Sequence, residues 1–242
     1  MTDYPTQPRK QIIAAIIPTY NEERNIVALL EVLHNVEELD EIIMVDDGSR
    51  DATYERAQQV VVSDSRMRIL QHETNRGKGQ AIYTGWYATP ATYILLLDAD
   101  LRNLTPAHVH ALMAPVLTHK ADMTIGLFRG GNIFTDLPHW ITPWLTGQRC
   151  LRSAILKYVS KEAATGYGFE IALTIAARQS GCRTRIVPLK GVWHPPSEFH
   201  RGYWYGIRWR ARMYGQILRA WYIANREQYP DAKAFFSTII KS

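Results

Sequence analysis

Cysteine is scarce in this chain: Cys150 and Cys182 are the only two in 242 residues, far apart and without metal-ligand spacing. That excludes a cysteine metal cluster or a disulfide framework, and a reduced, cytoplasmic setting is the simpler expectation. Long apolar runs are also missing. No stretch approaches the roughly 20 apolar residues a spanning helix needs, so any membrane contact is expected at the surface, on the inner face. The early run IIAAIIP is short, lacks a small-residue cleavage site and does not read as a signal peptide. No Gly-x-Gly-x-x-Gly follows a strand, which argues against a dinucleotide enzyme, and the Gly-x-x-x-x-Gly-Lys-Ser/Thr of a P-loop is absent. Internal repeats and low-complexity tracts are lacking too.

What is present is a net charge of +5 and a pI near 9.2, which favours an anionic partner. A nucleotide, a phosphorylated metabolite, an acidic membrane surface and nucleic acid all satisfy that condition. Hydrophobic residues at 46% and charged residues at 21% suit an ordered globular chain, expected as one main domain with an appendage. The division expected is a flexible N-terminus over 1–10, a main domain over 11–198, and a basic, aromatic helical segment over 199–242.

Strand and helix patterns alternate along the main domain. Ile12 to Pro18 reads as a buried strand, and Ile26, Leu29, Leu30 and Leu33 then fall at helical spacing. EIIMVDD, MRILQHE, YILLLDAD, MTIGLF and TRIVPLKGVWH read as further strands, with helices between most of them. Two more helices are expected, over about Gln148 to Tyr158 and through YGFEIALTIAARQ. Such alternation predicts an α/β fold with a mainly parallel sheet covered on both faces, and ligands then bind beyond the carboxyl ends of the strands.

The chemistry concentrates at those ends. YILLLDADLRN finishes an apolar strand with Asp98 and Asp100, whose α-carbons lie about 6 to 7 Å apart on one side if strand geometry persists. Paired carboxylates there suit a hard cation such as Mg²⁺ or Mn²⁺ between protein and phosphate; the plain alternative is a turn and helix cap. Asp46 and Asp47 end another apolar strand before Gly48, so one is expected to face the crevice and the other to bond the turn. In TNRGKGQ, Lys78 stands between two glycines at a helix start, placed for a diphosphate or merely solvated.

IIPTYNEERNI, VDDGSRDAT, NRGKGQA and DADL, in that order, resemble the nucleotide-sugar-dependent family 2 glycosyltransferases of GT-A, Rossmann-like fold. The resemblance implies that Pro18, Tyr20, Glu22 and Asp47 contact the nucleoside, Lys78 the nucleotide region, and Asp98 with Asp100 the metal and ribose-diphosphate. The first half is similar to dolichyl- and polyprenyl-phosphate sugar transferases. LTGQRCLRSAIL, GYGFEIALTIAA and VPLKGVWH are similar to the acceptor half of glucosyl-3-phosphoglycerate synthases. That implies an acceptor loop at Gly147, Gln148 and Arg149, and His194 as a further metal ligand. Glu170 is a candidate base or sugar-hydroxyl ligand, alternatively a helix-start carboxylate, and Arg129 joins Arg149 as a candidate for an acceptor phosphate. Arg102 departs from the pattern, standing where polyprenyl-phosphate enzymes often place a glutamine near the metal; a guanidinium cannot ligate a cation.

The tail interleaves Arg201, Arg208, Arg210, Arg212 and Arg219 with aromatics. A packed helix with snorkelling arginines, a membrane-surface helix and a nucleic-acid surface compete there. The expected function is metal-dependent transfer of a hexose from a UDP- or GDP-sugar to a phosphate-bearing acceptor, polyprenyl phosphate or a small phosphorylated acid. The competing class is a non-catalytic basic protein binding nucleic acid or membrane. A nucleotide-sugar donor, an acceptor phosphate, a peripheral membrane surface and a homodimer are the expected partners; nucleic acid is not.

Overall fold

The structure is a computed structural model, and it describes residues 11–129, 146–160, 162, 168–194, 215 and 222. The expectations for 1–10 and for the helical segment over 199–242 fall outside these residues, Gly215 and Tyr222 apart.

Seven strands form one sheet in the order β3-β2-β1-β4-β6-β5-β7. They are β1 Ile13–Thr19, β2 Glu41–Asp46, β3 Met67–Gln71, β4 Tyr93–Leu96, β5 Met123–Arg129, β6 Arg149–Arg152 and β7 Thr184–Lys190. All pairings are parallel except those of β6, which runs antiparallel between β4 and β5. Helices α1 Ile26–His34, α2 Thr53–Val61 and α4 Pro106–Leu117 lie with one apolar cluster. Helices α3 Lys78–Tyr87 and α5 Gly168–Gln179 lie with the other, together with a 3-10 turn over Ser153–Tyr158.

The strand sequences dictate this three-layer arrangement. Ala15 and Ile17 enter one cluster while Ala14 and Ile16 enter the other, and β2 alternates likewise with Ile42 and Met44 against Ile43 and Val45. A strand apolar at every position is buried on both faces, which only helices on both sides can satisfy. Pro106 and the Thr105–His108 capping box fix the start of α4.

One expected helix is overturned. The segment read as helical from Gln148 to Tyr158 is strand β6 followed by the 3-10 turn. Cys150 and Leu151 fill opposite faces of the sheet between β4 and β5, and that pairing with distant strands outweighs local helical spacing. Both cysteines are free thiols; burial pushes the Cys150 thiol up to about 12.

Candidate functional site

Strand β4 ends at Leu96, two residues before Asp98, so strand geometry does not persist through the acidic pair. Ala99 and Asp100 lie in a turn. Leu97, Ala99 and Leu101 nevertheless remain in the cluster under α1, α2 and α4, and the two carboxylates line a shared cleft at the carboxyl edge.

Lys78 opens α3 directly after Gly77, whose φ of 91° few other residues adopt. Its Nζ lies 2.5 Å from Asp98 Oδ1 and 2.5 Å from Glu170 Oε1 in the first turn of α5, closing an ion bridge between two helices and the loop after β4. The other oxygen of Asp98, Oδ2, accepts from Gln148 Nε2 at 2.8 Å. Burial opposes both charges of the pair, yet Lys78 holds the Asp98 carboxyl below its ordinary range and the two acids hold the Lys78 ammonium well above its own. Asp100 goes the other way, raised by burial and by the charge of Asp98.

Gly147 lies against the ends of the Asp98 and Lys78 side chains. A β-carbon there would lie 2.5 Å from Asp98 Oδ2 and 2.6 Å from Lys78 Nζ. Arg149, expected with Arg129 at an acceptor phosphate, borders a small cavity with Lys78, Asp98, Gly147 and Glu170. It is wholly buried, its Nε donating to Thr146 O at 3.1 Å and its Nη1 to Thr174 Oγ1 at 2.9 Å. Thr174 in turn donates to Glu170 O, so Arg149 ties the Thr146–Gly147 turn to the start of α5. Burial lowers its guanidinium to about 10 against the opposing pull of Glu170 and Asp98.

Of the other aspartates, Asp46 secures its own turn through Ser49 N at 3.1 Å. Asp47 reaches across to the loop before α3, accepting from Arg76 N at 2.9 Å and Gly77 N at 2.7 Å, with His72 Nδ1 2.7 Å from Oδ1. His72 is held on its far side by Thr84, 2.9 Å from Nε2. Asp47 thus clamps the loop that delivers Lys78. The sequence reading missed His72, in the strand run MRILQHE, and Thr174, within GYGFEIALTIAA, because their partners lie far off in the chain.

These residues surround a cleft of about 470 Å³ lined by Pro18, Thr19, Tyr20, Glu22, Asp47, Asn75, Gly77, Lys78, Asp98, Ala99 and Asp100. All the residues expected at a nucleoside and its diphosphate meet there. Burial pushes the Glu22 carboxyl up to about 7, with the charges of Asp100, Asp51 and Asp98 adding to it and a hydrogen bond from Asn25 opposing.

Arg102 contributes through its backbone. It exchanges hydrogen bonds with Trp193, Arg102 N to Trp193 O at 2.8 Å and Trp193 N to Arg102 O at 3.3 Å, which staples the turn after Asp100 to the segment carrying His194. The His194 ring packs edge-on against Phe128 at 5.6 Å. Among the described residues no three ligating side chains are gathered as a ready metal cluster. Arg129 stands exposed at the end of β5, on the far side of β6 from Asp98.

Residues 14–177 match Glycosyl transferase family 2, and the chain belongs to that family. It is 30% identical over 125 residues to the dolichol-phosphate mannosyltransferase of Pyrococcus furiosus, covering 50% of this chain and 35% of that protein. It is 31% identical over 117 residues to glycosyltransferase GlyG of Streptococcus pneumoniae, covering 48% of this chain and 38% of that one. The chain thus matches little more than a third of the length of either relative. The fold matches that of glucosyl-3-phosphoglycerate synthase from Mycobacterium tuberculosis, with a TM-score of 0.71 at 23% identity, over 89% of this chain and 80% of that one. Among the described residues no helix is long and apolar enough to cross a membrane.

Proposed function

We propose that this chain transfers a hexose from a nucleotide diphosphate sugar to a phosphate-bearing acceptor such as polyprenyl phosphate. The observation that carries the reading is the convergence of Glu22, Asp98 and Asp100 with the single ammonium of Lys78 on one cleft at the carboxyl edge of the sheet. Carboxylates gathered so closely raise one another, and a cation with a diphosphate balances them.

The donor set is hard oxygen with one imidazole, which fits Mg²⁺ or Mn²⁺. Both Asp98 oxygens already have protein partners, so Asp100 and His194 are the residues that would hold the cation, with Asp98 beside them. When bound, the ion neutralises charge on the departing diphosphate. Pro18, Tyr20 and Glu22 would line the nucleoside. Lys78, fixed between Asp98 and Glu170, would add a preorganised positive charge, which costs no reorganisation as the transition state forms. Gly147 and Gln148 keep Asp98 oriented; Glu170 holds Lys78 and borders the position of the sugar.

A second reading, transfer to a small phosphorylated acid, is favoured by the extent of the fold match to glucosyl-3-phosphoglycerate synthase, a protein crystallised with Mn²⁺, UDP-glucose and phosphoglyceric acid. Incubating the protein with UDP-glucose, UDP-galactose, UDP-N-acetylglucosamine or GDP-mannose, with Mn²⁺ or Mg²⁺, and with polyprenyl phosphate or 3-phosphoglycerate, separates the two by product mass. No product from any pairing, with no nucleotide binding, would discard the reading.

A further inference from the structure

Strands β5 and β7 lie side by side and parallel, and their final residues, Arg129 and Lys190, are partners in register. Neighbours paired in this way project from the same face of a sheet, with backbones about 4.8 Å apart. Phe128 and Leu189, one residue earlier, enter the cluster beneath α1, α2 and α4, whereas Met123 and Ile125 enter the cluster beneath α3 and α5. By alternation Arg129 and Lys190 project on the α3 and α5 side, the side of Arg149, Leu96 and Glu170. Both are exposed, and neither has an ion pair or side-chain hydrogen bond among the described residues.

Two cations in register without an acid between them repel, a juxtaposition that weakens a sheet unless an anion joins them. The surrounding backbone is fixed. Gly191 N donates to Arg129 O at 2.8 Å, Gly191 turns the chain away with a φ of 77°, and Asn103 Nδ2 donates to Gly191 O at 3.3 Å. The pair therefore sits at the carboxyl edge with Arg129 two strands and Lys190 three strands from β4, about 10 and about 14 Å sideways from the strand that leads to Asp98. Those separations suit the anionic end of a second substrate placed beside the first.

We propose that Arg129 and Lys190 form a seat for a phosphate monoester dianion, which under the function proposed above is the phosphate of the acceptor. Lys190 is the new element, adding a second charge to Arg129 that a monoester dianion engages better than a singly charged carboxylate. The shared chemistry is the phosphate, whether carried by a lipid or by a small acid.

The test uses the full chain and reads binding separately from turnover. Tryptophan fluorescence or calorimetry follows inorganic phosphate, glycerol 3-phosphate and a short-chain polyprenyl phosphate in neutral detergent, and, in parallel, UDP and GDP with Mn²⁺. Loss of one charge-assisted contact is expected to weaken phosphate binding about tenfold in Lys190→Gln and to leave Lys190→Arg near wild type. Lys157→Gln, an exposed lysine on the 3-10 turn, should bind phosphate unchanged. Because Lys190 faces a like charge, Lys190→Gln should melt no lower than wild type, which a merely structural lysine would not predict. Tighter binding of the lipid or of glycerol 3-phosphate tells the two acceptor sources apart. Phosphate binding without nucleotide binding or transfer would sink the proposed activity and leave the seat standing. Equal binding by wild type and Lys190→Gln, equal losses in Lys157→Gln, or no phosphate binding by wild type would overturn it.

Discussion

Gly147 and Asp98 approach so closely that a methyl group on Gly147 would lie 2.5 Å from Oδ2 and 2.6 Å from Oδ1 of the carboxylate. Gly147→Ala therefore has to push Asp98 away from Lys78 or move the turn. Overpacking of this kind costs about 1–3 kcal/mol, and a displacement of about 1 Å in a catalytic group costs about a hundredfold in rate. The expected outcome is a modestly lowered melting temperature with a far larger fall in transfer activity. Near-normal activity would show that the Lys78–Asp98 contact is dispensable.

Lys78 is the only cation bridging Asp98 and Glu170 among the described contacts. Lys78→Met leaves two carboxylates facing each other with no cation between them. Losing one partner of such a group, here only partly exposed, costs about 3 kcal/mol at neutral pH. The Asp98 carboxyl then loses the charge that holds it below its ordinary range, so the gap in stability to wild type should narrow as the pH falls. Adding Glu170→Gln should recover part of the loss, and a double-mutant cycle by chemical denaturation checks the coupling.

The two halves of the molecule differ in how plainly the sequence announces them. The parallel strands through β4 and their helices were legible because strands buried on both faces leave continuous apolar runs. Strand β6 was hidden: only four residues long, it gains its identity from β4 and β5. The same physics governs the site. Asp98, Asp100 and Lys78 stand in local motifs, whereas the burial of Arg149 and the clamp from Asp47 to Gly77 depend on contacts distant in sequence. Arg102 was conspicuous for its side chain, yet its backbone does the positioning.

Glu22 supplies a pH dependence. Its folded carboxyl titrates at about 7, above the ordinary value of 4.5, so ionising it is unfavourable in the fold. The cost is absent below about pH 4.5 and fully present above pH 7. Glu22→Gln should therefore raise the melting temperature at pH 8 and leave it unchanged at pH 4. Equal shifts at both values would assign the effect to packing instead.

The cation proposal separates the two aspartates. Asp100→Asn should abolish the Mn²⁺ dependence of nucleotide binding with little change in melting temperature. Asp98→Asn should reduce stability as well, since both oxygens of Asp98 are engaged by Lys78 and Gln148. Chelation of divalent ions should make wild type bind nucleotide as Asp100→Asn does. Calorimetry with and without chelator measures all three.

The reversed strand β6 also sets an order on the birth of the molecule. As the chain leaves the ribosome, β1 to β4 can pair through nearby crossovers, but β4 keeps an unpaired edge until Arg149–Arg152 emerges. Pairings so distant in sequence form slowly. Gln148, immediately before that strand, meets Asp98 only when the seam closes. Asp98 thus gains its Gln148 contact in the same event that covers the edge of β4, and a nascent chain stalled before that point exposes an unpaired strand edge.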